Sequence, residues 1–420
     1  MNILMIGNGF DLAHGLPTKY TDFLDWIVGE YEFYFHLKKQ DADIVQGIKR
    51  LELNIPENRK QKCTIGGRIN CQSELWECIN DNIWFEYFLH SQLRQDNTWI
   101  DFESEISEVI QSIDENMQGK MNDFVTQLDN WYLNKKFVDS QLDYGTDKIE
   151  YLKFSELRDK LLIDLNRLIR AFEIYLCEYI EEIECENISP DIQDIYVARR
   201  MQGEKVVGIQ LNKIISFNYT NTFQRLYDKQ KIFECDFIHG KADINNDFDT
   251  NNMVLGIDEY LKKKEKNKKI EFIAFKKYYQ RIYKRTGCKY KDWIDEIKQK
   301  ESEYNNTIKE KQKLLRNKSL SSVISGQIES ELLKLKKNPP KHNLYIFGHS
   351  LDVTDKDILK GLILNDSVTT IIYYFNKDDL GKKISNLVKV IGQDELIRRT
   401  GGSAKTIEFK LQQDMIEIKD

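Results

Sequence analysis

Apolar positions change their period several times along the chain. Asn2 to Ile6 reads NILMI, a short and continuously apolar run that ends on Gly7. This is the pattern of a strand buried on both faces, as in a parallel sheet. Phe23, Leu24, Ile27 and Val28 then recur on one helical stripe. From about residue 30 to 200 the text is charged and helical in period. Phe102, Ile106, Val109 and Ile113 make one apolar face there, with Thr98 as N-cap and Asp101 at the capping-box position. Leu161, Leu165, Leu168 and Phe172 make another. Strand-like runs return at Lys213–Phe217, Lys231–Ile238 and Met253–Leu255. A lysine-rich helical stretch follows to about 338, broken by Pro339-Pro340. Two further β-type runs, Asn343–Phe347 and Thr369–Phe375, precede a helix over Lys377–Ile391. The tail around Thr406–Ile418 reads as one more strand or hairpin.

The strands fall in two separated blocks, which predicts an α/β fold with a Rossmann-like, mostly parallel sheet and large helical insertions. The core is expected from 1–30, 205–257 and 340–420, with insertions at 31–204 and 258–339. Composition agrees: 420 residues, 41% apolar and 31% charged, describe a globular chain. The net charge of −6 makes no global case for nucleic acid. Seven cysteines without a C-x-x-C pair support neither a zinc site nor a disulfide framework. With no basic leader and no apolar run near the ~20 residues that span a bilayer, the cytoplasm is the expected compartment, without a membrane partner.

Candidate chemistry gathers at strand ends, where open α/β sheets bind ligands. Gly7-Asn8-Gly9 permits close approach of backbone to a phosphate group, and Gly15-Leu16-Pro17 makes a second turn. Neither G-x-G-x-x-G nor a P-loop is present. Phe217-Asn218-Tyr219-Thr220-Asn221 ends a second strand; its asparagine can bind a ribose or cap the next helix. His239-Gly240-Lys241 ends a third, placing an imidazole for acid–base work. Gly348-His349-Ser350 ends a later one and offers N–H groups and a hydroxyl, but lacks the second glycine of a nucleophile elbow. Asp101 with Glu103, and Asp352, Asp355 and Asp357, are explained by helix capping and helix N-termini better than by metal. Residues 261–285 carry nine Lys and two Arg against two Glu, with five aromatics. With Phe272, Phe275, Tyr279 and Ile282 on one face, a solvated amphipathic helix is preferred there over a nucleic-acid surface. Lys277 and Arg281 are also candidates for a ligand phosphate.

These four segments together resemble the sirtuin family. The sirtuin first loop, G-A-G-x-S-x-x-S-G-I-P, matches Gly7-Asn8-Gly9-Phe10-Asp11-Leu12-Ala13-His14-Gly15-Leu16-Pro17 in register. The sirtuin Q-N-x-D resembles Phe217-Asn218-Tyr219-Thr220, its H-G resembles His239-Gly240, and its G-T-S-L-x-V resembles Gly348–Val353, in the same order. Asp11 and Thr220 depart from that pattern. Over nearly its whole length the chain more closely resembles the AbiH family of bacterial abortive-infection proteins, through NILMIGNGFDLAHGLPTKYTDF, TWIDFE, FNYTNTF, HGK, VLGID, FKKYYQRIYKRTG and GHSLDVTDKDI.

The AbiH resemblance implies phage defence by halting the infected cell. The sirtuin resemblance implies NAD+ as substrate. Sirtuin deacylases carry two zinc-binding C-x-x-C pairs between H-G and G-T-S, where this chain has only Cys288. The resemblance therefore implies NAD+ hydrolysis to nicotinamide and ADP-ribose, without a metal, and not deacylation. It assigns Asn218 and His239 as catalytic. It assigns Gly7, Asn8, Gly9, Phe10, Asp11, Gly15, Pro17, Thr220, Gly240, Gly348, His349 and Ser350 as nucleotide-binding. The alternatives are a catalytically silent nucleotide or ADP-ribose sensor that gates defence, and a nuclease-type toxin using the basic helix. An unidentified phage trigger is implied. A homo-oligomer is expected as restraint, since a constitutive NAD+ hydrolase would poison its host.

Overall fold

The computed structural model describes residues 1–35, 72–95, 101–117, 154–196, 211, 213–261, 265–316 and 321–418. Expectations that fall elsewhere, Thr98 as a cap and the helical period of 36–71 and 118–153 among them, lie outside these residues. Eight strands are described: β1 (Asn2–Ile6), β2 (Asn187–Ile188), β3 (Lys213–Ser216), β4 (Glu234–Phe237), β5 (His342–Phe347), β6 (Val368–Tyr374), β7 (Ile407–Leu411) and β8 (Ile416–Glu417). β2 and β8 form a small antiparallel pair. The other six form one wholly parallel sheet in the order β4-β3-β1-β5-β6-β7. Counted within the sheet this is 3-2-1-4-5-6, the Rossmann order, whose direction reverses between β1 and β5.

The continuous apolar run of β1 follows from burial on both faces. Ile3 and Met5 pack with Trp293, Ile294, Leu359, Leu362 and Leu387 on one side. Leu4 and Ile6 pack with Phe10, Ile214, Phe223 and Tyr227 on the other. A parallel sheet leaves neither face to water, so every central strand repeats this pattern.

A separate helical core stands beside the sheet. It is built by the helices Tyr20–Phe35, Gln72–Ile79, Ile83–Gln95, Phe102–Met117 and Phe154–Tyr175. Phe102 is stacked between Tyr20 (4.3 Å, 9°) and Phe88 (3.9 Å, 6°), and this sandwich fixes the start of its helix. Asp101 itself caps that helix, its Oδ1 accepting from the Glu103 N–H at 3.1 Å.

Two expectations change. Met253–Leu255 is buried but is no strand; it joins the helical core, and the Val254 N–H donates to the His239 carbonyl at 2.8 Å. Its apolarity serves helix packing, not strand pairing. The expected apolar stripe over Phe272–Ile282 is also not one helical face. A 3-10 turn over Ile273–Phe275 and an extended Lys276 precede the helix Lys277–Tyr283. That helix buries Lys277, Gln280 and Arg281, while Ile282 and Tyr283 are 70% and 75% exposed. The helix is thus turned polar side inward, for a reason found in the site.

Candidate functional site

The four strand-end segments converge at the carboxyl ends of β1, β3, β4 and β5. The first and last meet at the point where strand order reverses. The Gly9 N–H donates to the Gly348 carbonyl at 2.8 Å. A Cβ on Gly348, which has φ +68°, would lie 2.1 Å from the Phe10 nitrogen, and one on Gly9 would lie 2.8 Å from the Gly348 oxygen. The expected close backbone approach is therefore between the two loops themselves, which lock into one unit. Phe10 belongs to the core beneath them, with its ring near Phe223, Tyr227 and Phe347. The helix begins directly at Asn8 and runs only to Ala13. Asn8 accepts from the Thr18 hydroxyl at 2.6 Å. Gly15, at φ +79°, ends the loop, and the Pro17 carbonyl accepts from the Tyr175 hydroxyl.

Beside this unit lies a group of buried polar atoms without full partners. Asp11 Oδ2 accepts from the Thr220 hydroxyl at 2.6 Å, while its Oδ1 has no hydrogen bond. Burial pushes the Asp11 carboxyl up to about 6, with Thr220, Thr222 and Asn218 drawing it down. Asn218 neighbours Asp11, yet neither its Oδ1 nor its Nδ2 makes a well-formed hydrogen bond. It is 5% exposed, so water does not substitute freely. Asn221 makes no side-chain cap to the helix Thr222–Leu226, so capping does not account for this segment.

The opposite side is a chain of titratable groups. His239 Nε2 lies 3.4 Å from Asp355 Oδ1, and His349 Nε2 lies 3.4 Å from Asp355 Oδ2. Lys277 Nζ is 3.5 Å from Asp355 and 2.7 Å from Glu103 Oε2. The Phe217 ring stands against both imidazoles, at 5.4 and 4.2 Å. Burial, with Lys277 adding to it, lowers His239 to about 4, so its ring is neutral at neutral pH; Asp355 pulls the other way. Burial opposes ionisation of Asp355, but Lys277 and the two histidines hold it well below the usual carboxylate range. Burial likewise opposes the charge of Lys277, and Asp355 and Glu103 outweigh it. Glu103 is pushed up to about 7 by burial, against the pull of Lys277. The Lys277 ammonium lies between these carboxylates, and among the described residues no group of three or more His, Cys, Asp or Glu is arranged to hold a metal ion.

Two further contacts hold the loop after β5. Lys383 Nζ donates to the His349 carbonyl at 2.7 Å, and Asn386 donates to the Ser350 carbonyl at 3.0 Å. They support Leu351, which takes a left-handed φ of 60°. Ser350 itself is exposed, and its Oγ accepts from the Asp352 N–H at 3.4 Å. Gly240, at φ +78°, turns the chain after His239 against Asn252.

A family profile described as Bacteriophage abortive infection AbiH matches residues 3–376. The chain belongs to the AbiH family. It is thereby a protein of anti-phage abortive infection. No curated protein and no solved structure matches the chain. Among the described residues of this AbiH protein no helix is long and apolar enough to cross a membrane.

Asn218, His239, Asp11, Thr220, Gly348 and His349 are thus brought together. Sequence reasoning missed Glu103 and Asp355 as site residues, because capping explained Asp101 and helix-start acids explained Asp355. Asp352 does cap, accepting from the Thr354 N–H at 3.1 Å, but Asp355 points inward. A usable signal was present: Glu103, Lys277 and Asp355 all lie within the words that carry the AbiH resemblance. Within the basic segment Lys276 pairs with Glu259, Lys277 as above, and Arg281 with Asp357 at 2.6 Å.

Proposed function

We propose that this AbiH protein hydrolyses NAD+ to nicotinamide and ADP-ribose at the ends of β1, β3, β4 and β5, and halts infected cells by depleting it. The observation that carries this reading is the set of buried atoms left without partners at these strand ends: Asp11 Oδ1, both polar atoms of Asn218, and His239 Nδ1. An unpaired buried polar group costs ~1–3 kcal/mol, and a ligand that supplies the missing hydrogen bonds removes that cost. A ribose, with donor and acceptor hydroxyls, matches an amide and a carboxylate. The position agrees with ligand binding where strand order reverses, and the four segments resemble those of sirtuins.

In this reading Asn218 positions the nicotinamide ribose and the attacking water. His239, neutral because it is buried, accepts a proton from water or from a ribose hydroxyl. The bond between ribose C1′ and the pyridinium nitrogen breaks, the nitrogen takes the electron pair, and nicotinamide leaves neutral without needing an acid. Positive charge develops on the ribose, and the Asp11 carboxylate, ionised above about pH 6, stabilises it. Gly7, Asn8, Gly9 and Gly348 border the pyrophosphate, with Ser350 at the rim. The test is nicotinamide release by purified protein supplied with NAD+. Release that disappears in Asn218→Ala and His239→Ala, both still folded, supports the assignment; release at the original rate in either variant overturns it. A silent sensor would bind ADP-ribose and release no nicotinamide.

A further inference from the structure

We propose that Asp355 is the positioning residue of the site: it holds the ring proton of both His239 and His349 on Nε2, so that His239 presents Nδ1 as the proton-accepting atom. No motif assigned Asp355 this part. The geometry fixes His349 first. The Leu351 N–H donates to His349 Nδ1 at 2.9 Å, so Nδ1 carries a lone pair and the proton of the neutral ring resides on Nε2. That N–H faces Asp355 Oδ2 at 3.4 Å.

His239 follows from the same carboxylate. Its Nε2 faces Asp355 Oδ1 at 3.4 Å, and its Nδ1 is buried with no partner. With the proton on Nε2, an N–H faces a carboxylate oxygen at 3.4 Å and the unpartnered Nδ1 carries a lone pair. With the proton on Nδ1, two lone pairs oppose each other across the Nε2–Oδ1 contact and a buried N–H has no acceptor. The first tautomer is the one the surroundings favour.

The carboxylate is held in place from two directions. Asp355 closes a 3-10 turn over Val353–Asp355 and leads into the helix Lys356–Ile363. Lys277 pairs with Asp355, and Arg281, one helical turn on, pairs with Asp357. These two pairs clamp the helix Lys277–Tyr283 to the start of Lys356–Ile363, which is why the former turns its cations inward. Glu103 holds the other side of the Lys277 ammonium. The charge that keeps Asp355 a carboxylate is therefore delivered by a helix of the lysine-rich segment, and braced by a helix of the first helical region.

The catalytic consequence rests on the proposed NAD+ hydrolysis; the tautomer does not. The test is NMR of the ring nitrogens in full-length protein with isotope-labelled histidine, together with turnover of Asp355→Asn. The expected result is a neutral His239 protonated on Nε2 in the native chain. In Asp355→Asn the tautomer population shifts toward Nδ1–H, and kcat falls ~10²–10⁴-fold while affinity for ADP-ribose is unchanged. A native His239 that is charged at neutral pH or protonated on Nδ1 overturns the proposal, as does a folded Asp355→Asn with unaltered tautomer and rate. If Asp355→Asn does not fold, the native spectrum alone decides. If the native protein releases no nicotinamide, the hydrolase reading fails and the spectrum still judges Asp355.

Discussion

The two walls of the site differ in how completely their polar groups are paired. On the Asp11 wall, one carboxylate oxygen and a whole carboxamide are buried without partners. On the Asp355 wall, Glu103, Lys277, Asp355, His239 and His349 form an unbroken chain of contacts between 2.7 and 3.5 Å. A buried charge chain is tolerated when each member is held by the next, and such a wall is set before any ligand arrives. A wall with vacant hydrogen-bonding capacity has room for the donors and acceptors of a ligand. Under the proposed hydrolysis the first wall recognises the ribose and the second prepares a base; on that second wall His239 Nδ1 makes no hydrogen bond, and Asp355 Oδ1 has only the 3.4 and 3.5 Å contacts to His239 and Lys277.

The comparison breaks most visibly in turnover. His239→Ala and Asn218→Ala are each expected to lower NAD+ hydrolysis ~10²–10⁴-fold with little change in melting temperature. Loss of the fold alongside activity would make both residues structural. Next is Lys277→Met, which leaves Glu103 and Asp355 without their shared cation. Breaking a buried pair in this way costs ~3–5 kcal/mol, measured by denaturant titration, and adding Glu103→Gln should recover part of it. If Lys277→Met unfolds at the native midpoint, the paired wall is not holding the structure.

A smaller effect concerns pH. Burial lowers the His239 pKa from 6.5 to about 4, so between those values the unfolded chain binds a proton that the folded chain excludes. The stability this group contributes is complete above pH 6.5 and is lost as pH falls toward 4, by roughly 3 kcal/mol at most. His239→Gln should flatten that part of the stability–pH curve; parallel curves would contradict a neutral, buried imidazole. The smallest effect is expected at Asp11, whose carboxyl is raised from 3.8 to about 6 by burial. Its ionised form opposes folding above pH 6, and this penalty fades as pH falls toward 3.8. Asp11→Asn should then be more stable than the native chain above pH 6, by about 3 kcal/mol at most, yet slower on NAD+. Equal stability at all pH values would show that the unpaired oxygen carries no cost.

Much of this was legible in local pattern. NILMI announced a buried parallel strand because both its faces meet apolar layers, and Gly7-Asn8-Gly9 marked its carboxyl end. Asn218, His239 and His349 were marked by following apolar strands into polar turns. The same reading misassigned Met253–Leu255, since an apolar triplet looks alike whether it pairs with a strand or lies under helices. It failed at Ile282 because periodicity assumes that the apolar face is the buried one. Here ion pairs to Glu103, Asp355 and Asp357 invert the helix, and those partners are distant in sequence. Glu103 and Asp355 were hidden for a related reason. An acid in the first turn of a helix has a sufficient local explanation, and only the tertiary fold shows Glu103 reaching Lys277 and Asp355 reaching two histidines.

NAD+ hydrolysis is decided by following NAD+ loss and nicotinamide appearance together, for the full-length protein and for folded Asn218→Ala at equal concentration. Many equivalents of nicotinamide are expected from the native chain, matched by ADP-ribose, with a rate at least ~10²-fold lower from the variant. Equal rates from the two proteins, or no nicotinamide from a native chain that binds ADP-ribose, would contradict it.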